Sequence, residues 1–256
     1  MRVGVAGMLK GILGLQLVIG GLLVLGDMAP GMQGLRFAPD APALDQPVAP
    51  GDQTRRYRPA DLPRPAPAAP FPPVGDMPAR LTVSSVEVDG AAALRLMGRI
   101  AAGDADRLTD ILATRWEDGA PRRVFLHSPG GSVSDALVLG RFLRAEGVTT
   151  MIAAGDVCLS ACPYLLAGGE TREIDDDGSV GVHQHYFGQN SVQPAFMAVE
   201  DIQRGQGQVM GYLVEMGIDP RIMQHALVTP PGEIYILLPE ELREYGMIVE
   251  TDEDAA

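Results

Sequence analysis

From Leu81 to Glu250, short runs of β-like composition alternate with segments whose apolar residues recur at helical spacing, and no other feature narrows the fold as far. "LTVSSVEV" and "ALRLMGRI" read as strands, "ADRLTDILATRW" as a helix, and "RRVFLHS" as a strand again. "VSDALVLGRFLRAEG" is helical, "VTTMIAA" is a strand, and a further helix opens near Ser160. Strands separated by helices of this length are joined by crossovers, which implies βαβ units and a mainly parallel sheet. The predicted class is α/β. A long helix is expected over 194–217 and a shorter one near 220–227, and "EIYILLPEELREYGMIVE" reads as strand, short helix, strand.

What precedes this region has a different character. Residues 29–79 carry 13 prolines among abundant Ala, Asp and Arg, without a periodic apolar pattern, and are expected to be a disordered Pro/Ala-rich linker. The folded domain is then 80–250, with an acidic tail at 251–256. At the N-terminus, Arg2 and Lys10 precede sixteen uncharged residues, Gly11 to Gly26, and Asp27 follows. Residues 1–28 are expected to be a signal-anchor helix with Lys10 at the cytoplasmic interface, or else a cleaved signal peptide. The first option places the domain in the periplasm on an inner-membrane anchor, and the second makes it secreted. The formal net charge of −13 and the absence of a basic stripe argue against a nucleic-acid partner.

Two strand-to-helix junctions carry the residues suited to chemistry. In "HSPGGSVSDA", Pro129 stiffens the turn, while Gly130 and Gly131 let backbone N–H groups approach a ligand closely enough to hold an oxyanion. An ordinary tight loop would use the same residues. In "GDVCLSACPYLLAGG", Ser160 stands where a helix begins, as a cap or as a nucleophile assisted by the helix dipole. A serine attacks well only with a base to take its proton. His183 lies 23 residues further on in "GSVGVHQHYFG", near enough in sequence for one helix and a hairpin to bring the two together. Cys158 and Cys162, the only cysteines, either pack as buried thiols or form a disulfide. Two cysteines without further ligands do not make a metal site.

"FLHSPGGSV", "GDVCLSACPYLLAGG" and "VGVHQ", in that order, resemble the Clp-protease/crotonase superfamily, and within it the ClpP-like serine peptidases of the exported, membrane-anchored branch. The resemblance covers about Leu94 to Ile248 and implies repeated ββα units. It implies Ser160 as nucleophile, His183 as general base, and the N–H groups of Gly131 and Ala161 as the oxyanion hole. His185 does not match the base position and falls to the substrate side or the surface, while His225 is structural. The family's aspartate has no counterpart here; the stretch "TPPGEIYILLPEE" offers Glu233 instead, either orienting the imidazole or lying solvated in a turn. Lys10 is the only lysine, so a serine-lysine dyad is excluded.

The function implied is a membrane-tethered serine peptidase acting on peptides or unfolded protein through an acyl-enzyme, without cofactor or metal, as a homo-oligomer. The contrasting reading is a catalytically idle ClpP-fold interaction module at the membrane.

Overall fold

Alternating strands and helices do organise the chain, but into two sheets. The structure is a computed structural model that describes residues 5–27, 41–44, 48–59, 69–72, 76–117, 119–185 and 195–248. The tail expected at 251–256 lies outside the described residues. Met1–Asp40 forms one unit and Ala41–Ala256 another.

In the first unit a single helix, α1, spans Val5–Asp27. Among the described residues no helix is long and apolar enough to cross a membrane. Lys10 and Asp27 bracket only sixteen uncharged residues, about 24 Å of helix at 1.5 Å per residue against a hydrocarbon core of about 30 Å. The expected membrane anchor is therefore corrected, and with it the inner-membrane, signal and periplasmic placement that depended on it.

The second unit contains a five-stranded sheet in the order β2–β3–β4–β5–β7. Here β2 is Thr82–Val88, β3 Ala91–Met97, β4 Arg123–His127, β5 Thr149–Ile152 and β7 Thr171–Ile174. β2 and β3 form an antiparallel hairpin turned at Asp89-Gly90, both at positive φ, as a two-residue hairpin loop requires. β3, β4, β5 and β7 are parallel. The crossovers run through α2 (Asp104–Glu117) and α3 (Val133–Ala145). α2 buries Leu108, Leu112 and Trp116, a helical stripe, in the main core. Asp104 and Asp106 sit in its first turn and Arg115 in its last, matching the helix dipole.

The second sheet has four strands, β1–β9–β8–β6: β1 is Thr54–Arg56, β6 Val157–Leu159, β8 Ser179–Val182 and β9 Glu233–Ile236. β6 and β8 are parallel, whereas β9 runs antiparallel to both β8 and β1. The sheets are thus mixed. α4 (Cys162–Ala167) follows β6 and packs on α3 so closely that a Cβ on Gly168 would stand 2.3 Å from the Gly140 carbonyl oxygen. α5 (Ala195–Glu215), a 3₁₀ turn at Pro220–Ile222 and α6 (Met223–Val228) match the expected late helices. After α7 (Pro239–Glu244) no closing strand forms among the described residues.

The expected linker also needs correction, because parts of it are built into the fold. β1 pairs with β9, Arg55 is wholly buried and hydrogen-bonds Asp52, and Leu44 joins Val157, Leu159, Ile234 and Ile236 in a small core. Phe71 lies edge-on to Phe125, 5.3 Å between centroids, with the Arg95 guanidinium 3.8 Å from its own centroid. Proline excludes helix from this segment without excluding an edge strand, so the composition concealed a strap.

Candidate active site

The two junctions singled out in the sequence meet at one cleft. The loop after β4 is pinned on both sides. Ser128 N–H donates to the Val157 carbonyl and Leu159 N–H to the Ser128 carbonyl, joining the loop to β6. On the other side Ile100 N–H donates to the Gly130 carbonyl, and Ser132 N–H to the Ile100 carbonyl. Only glycine fits between. A Cβ at Gly130 would lie 2.5 Å from both the Leu159 oxygen and the Ser160 Cβ, and one at Gly131 would lie 2.1 Å from the Ile100 oxygen. Both residues also have positive φ, 95° and 146°. Ser132 then caps α3, its hydroxyl accepting from Asp135 N–H.

Ser160 does not cap α4; Ala161 occupies that position without a side-chain cap. Ser160 instead takes a left-handed conformation, φ 63°, uncommon for a residue with a Cβ. Its N–H donates to the Gly181 carbonyl at 2.9 Å, and a disulfide joins Cys158 to Cys162 across it. The alternative left open for the cysteines is thereby decided for the bond. The Ser160 Oγ lies 2.7 Å from His183 Nε2. Among the described residues, neither Gly131 N–H nor Ala161 N–H is hydrogen-bonded within the protein. Both stay available to an incoming oxygen.

His183 is buried where β8 ends. Burial, with a smaller contribution from His185, lowers its pKa to about 4, and the Pro231 carbonyl opposes the shift. Among the described residues, Nδ1 is buried and meets no acceptor in good hydrogen-bond geometry. Glu233 therefore does not orient the imidazole. Val182 pairs with Tyr235, and continuing the alternation puts Glu233 on Tyr235's face of the sheet and His183 on the other. Ser160 and His183 therefore form a hydrogen-bonded pair with no described carboxylate on the far side of the ring.

Sequence reasoning missed Tyr57, which comes from the strap. Its ring lies 4.7 Å from that of His183, and its hydroxyl donates to the Pro129 carbonyl beside Ser160. Burial raises its pKa, and Arg99 and Ser160 oppose the shift. The signal available was faint: in "DQTRRY" a single aromatic closes a polar stretch, Thr54, Arg55 and Arg56 forming the strand and Tyr57 following it. His185 lines the same cleft, with Nε2 2.7 Å from the Tyr164 hydroxyl. His225 lies apart, stacked on Tyr235 at 4.3 Å. The cleft holds about 600 Å³, and its walls include Tyr57, Arg99, Gly131, Ser160, His183 and Pro231. Among the described residues no group of three or more His, Cys, Asp or Glu is placed to hold a metal ion.

A hydroxyl against a neutral imidazole, beside two unengaged N–H groups in a cleft, is an arrangement suited to acyl transfer. No protein-family model matches the chain, and no curated protein matches it.

Proposed function

We propose that the chain is a ClpP-like serine peptidase that cleaves peptide bonds through an acyl-enzyme. The observation that carries the reading is the 2.7 Å contact between Ser160 Oγ and His183 Nε2, with Ser160 held in a left-handed turn. Two further features support it. Strand-turn-helix junctions supply both Gly131 and Ser160, as a repeated ββα plan would have them; glycine at 130 is enforced by contact with the turn of Ser160, and glycine at 131 by contact with Ile100.

With its proton on Nδ1, His183 accepts the Ser160 proton at Nε2 as Oγ attacks the scissile carbonyl. The N–H groups of Gly131 and Ala161 hold the resulting oxyanion, a donor of this kind being worth about 3 to 4 kcal/mol. Collapse breaks the C–N bond, and the amine leaves with the proton returned from Nε2. Water then repeats the sequence on the ester and frees Ser160. Removing the carboxylate from a full triad costs about 10⁴ in turnover, so a slow enzyme is the expectation here.

The same missing carboxylate favours the competing reading, an idle ClpP-fold interaction module. One experiment separates the two. A fluorophosphonate probe should label the wild-type chain at Ser160, mapped by mass spectrometry, and should leave the folded Ser160→Ala variant unlabelled. A folded wild-type chain with no adduct at Ser160 and no cleavage of a broad peptide library would end the peptidase reading.

A further inference from the structure

We propose that Arg99 makes this cleft selective for peptides bearing a carboxylate beside the bond to be cut, supplied by an Asp or Glu side chain or by a free C-terminus. The inference rests on the peptidase reading and deepens it by naming a substrate class. Among the described residues that line the cleft, Arg99 carries the only formal charge, and none is acidic. The rest of the wall is small, apolar or neutral: it includes Ala79, Ile100, Ala101, Ala102 and Val133, and His183 and His185 both have lowered pKa values.

Two features make this more than a surface arginine. First, its place is fixed. Arg99 N–H donates to the Pro78 carbonyl, and the next residue, Ile100, is hydrogen-bonded to Gly130 and Ser132 on either side of Gly131. The guanidinium is thus rooted one residue from the backbone that flanks the oxyanion-hole donor. Second, it has no carboxylate of its own: among the described residues no ion pair includes Arg99. It shares the cleft with the neutral Tyr57 hydroxyl, on which its charge acts. Most arginines of this chain with a described ion pair spend their charge on Asp or Glu, as Arg141 does on Glu215 and Arg221 on Asp219.

An exposed, unengaged guanidinium above an uncharged cleft binds a carboxylate through paired N–H donors, a geometry that an amide cannot match. The chain's net charge of −13 repels such a peptide at long range. Salt confines that repulsion to about 8 to 10 Å, so a cation at the contact itself sets the local preference.

The test uses the full-length chain carrying Ser160→Ala, so that no peptide is consumed, and hexapeptides with a dye at the end remote from the variable position. Two pairs are compared by fluorescence anisotropy: internal Asp against Asn, and free C-terminal acid against C-terminal amide. At least one acid should bind about tenfold more tightly than its amide, and the pair that shows it identifies the source of the carboxylate. In the Ser160→Ala/Arg99→Gln chain that ratio should fall to near one. Equal affinities in both pairs, no binding of any of the four, or a preference that survives Arg99→Gln would overturn the proposal. The peptidase reading fails separately, by absence of fluorophosphonate labelling on the wild-type chain, which requires no peptide.

Discussion

Breaking the Cys158–Cys162 bond tests how Ser160 is held. The bridge spans a sequence separation of 4 and closes a loop with Ser160 at its centre. For a loop of about five residues, the chain-entropy relation gives a loss near 7 cal/mol/K, or about 2 kcal/mol at 25 °C. In a unit the size of Ala41–Ala256, each kcal/mol moves Tm by about 2 to 4 °C, so the melting point should fall by about 4 to 8 °C. A local effect accompanies the global one. The left-handed backbone at Ser160, φ 63°, costs about 1 to 3 kcal/mol and persists only while its surroundings enforce it. The bond to Gly181 and the packing of Gly130 still enforce it after reduction, so part of the positioning survives and labelling should slow about tenfold. The assay is calorimetry and fluorophosphonate labelling of wild-type protein with and without dithiothreitol, with intact mass confirming two thiols. The Cys158→Ala/Cys162→Ala chain serves as the control for solvent effects of the reductant. Reduced protein that melts within 1 °C of the oxidised form and labels at the same rate would refute the reasoning.

Two further outcomes follow from the site and the strap. Labelling at Ser160 needs neutral His183, whose pKa is lowered to about 4; the rate should stay level from pH 8 to about 5 and fall with a midpoint near 4, whereas a midpoint near 6.5 would mean a solvated ring. The same shift has a sign for stability: the unfolded ring binds its proton near 6.5 and the folded one near 4, so acid favours unfolding, and stability measured by urea should decline as pH falls through that window. Removing residues 1–79 should uncover the β9 edge and take away Arg55 and Tyr57, so a chain starting at Arg80 should melt below one starting at Ala41. Equal melting of the two would return the strap to the status of a linker.

How far the sequence spoke depends on whether a feature is local. α2 and α3 are visible because each carries its own apolar stripe, and α3 its own cap at Ser132. Ser160 and His183 were legible as a pair because both stand at junctions marked by glycine and by abrupt changes of pattern. Glu233 misled for the opposite reason. A carboxylate can be counted along the chain, but the sheet face it occupies depends on the register between β8 and β9, which the residues themselves do not disclose. The split into two sheets was hidden in the same way: β6 is three residues long, and its partner β8 lies beyond α4 and β7. For the strap, composition gave the wrong answer, since prolines on both sides of Thr54–Arg56 permit a short edge strand as readily as a coil.

The strap also changes what the site is. Ser160 is fixed from three directions that share no residue: the disulfide across its own turn, Gly181 accepting from its N–H, and Gly130 pressed against its Cβ. His183 has fewer constraints. Its Nδ1 lacks a partner among the described residues, and the tilted Tyr57 ring at 4.7 Å is the aromatic surface packed against it. On the proposed peptidase reading, the charge that forms when Nε2 takes up the serine proton lies against that ring, which can stabilise a cation through its π face by about 0.5 to 2 kcal/mol. An orienting carboxylate would supply more, and would hold the imidazole basic even between substrates. With an aromatic ring in its place, burial keeps the free imidazole neutral and weakly basic. On that reading the proposed chemistry is tied to the placement of β1 against β9, because the strand that pairs there leads directly into Tyr57, whose ring packs on His183.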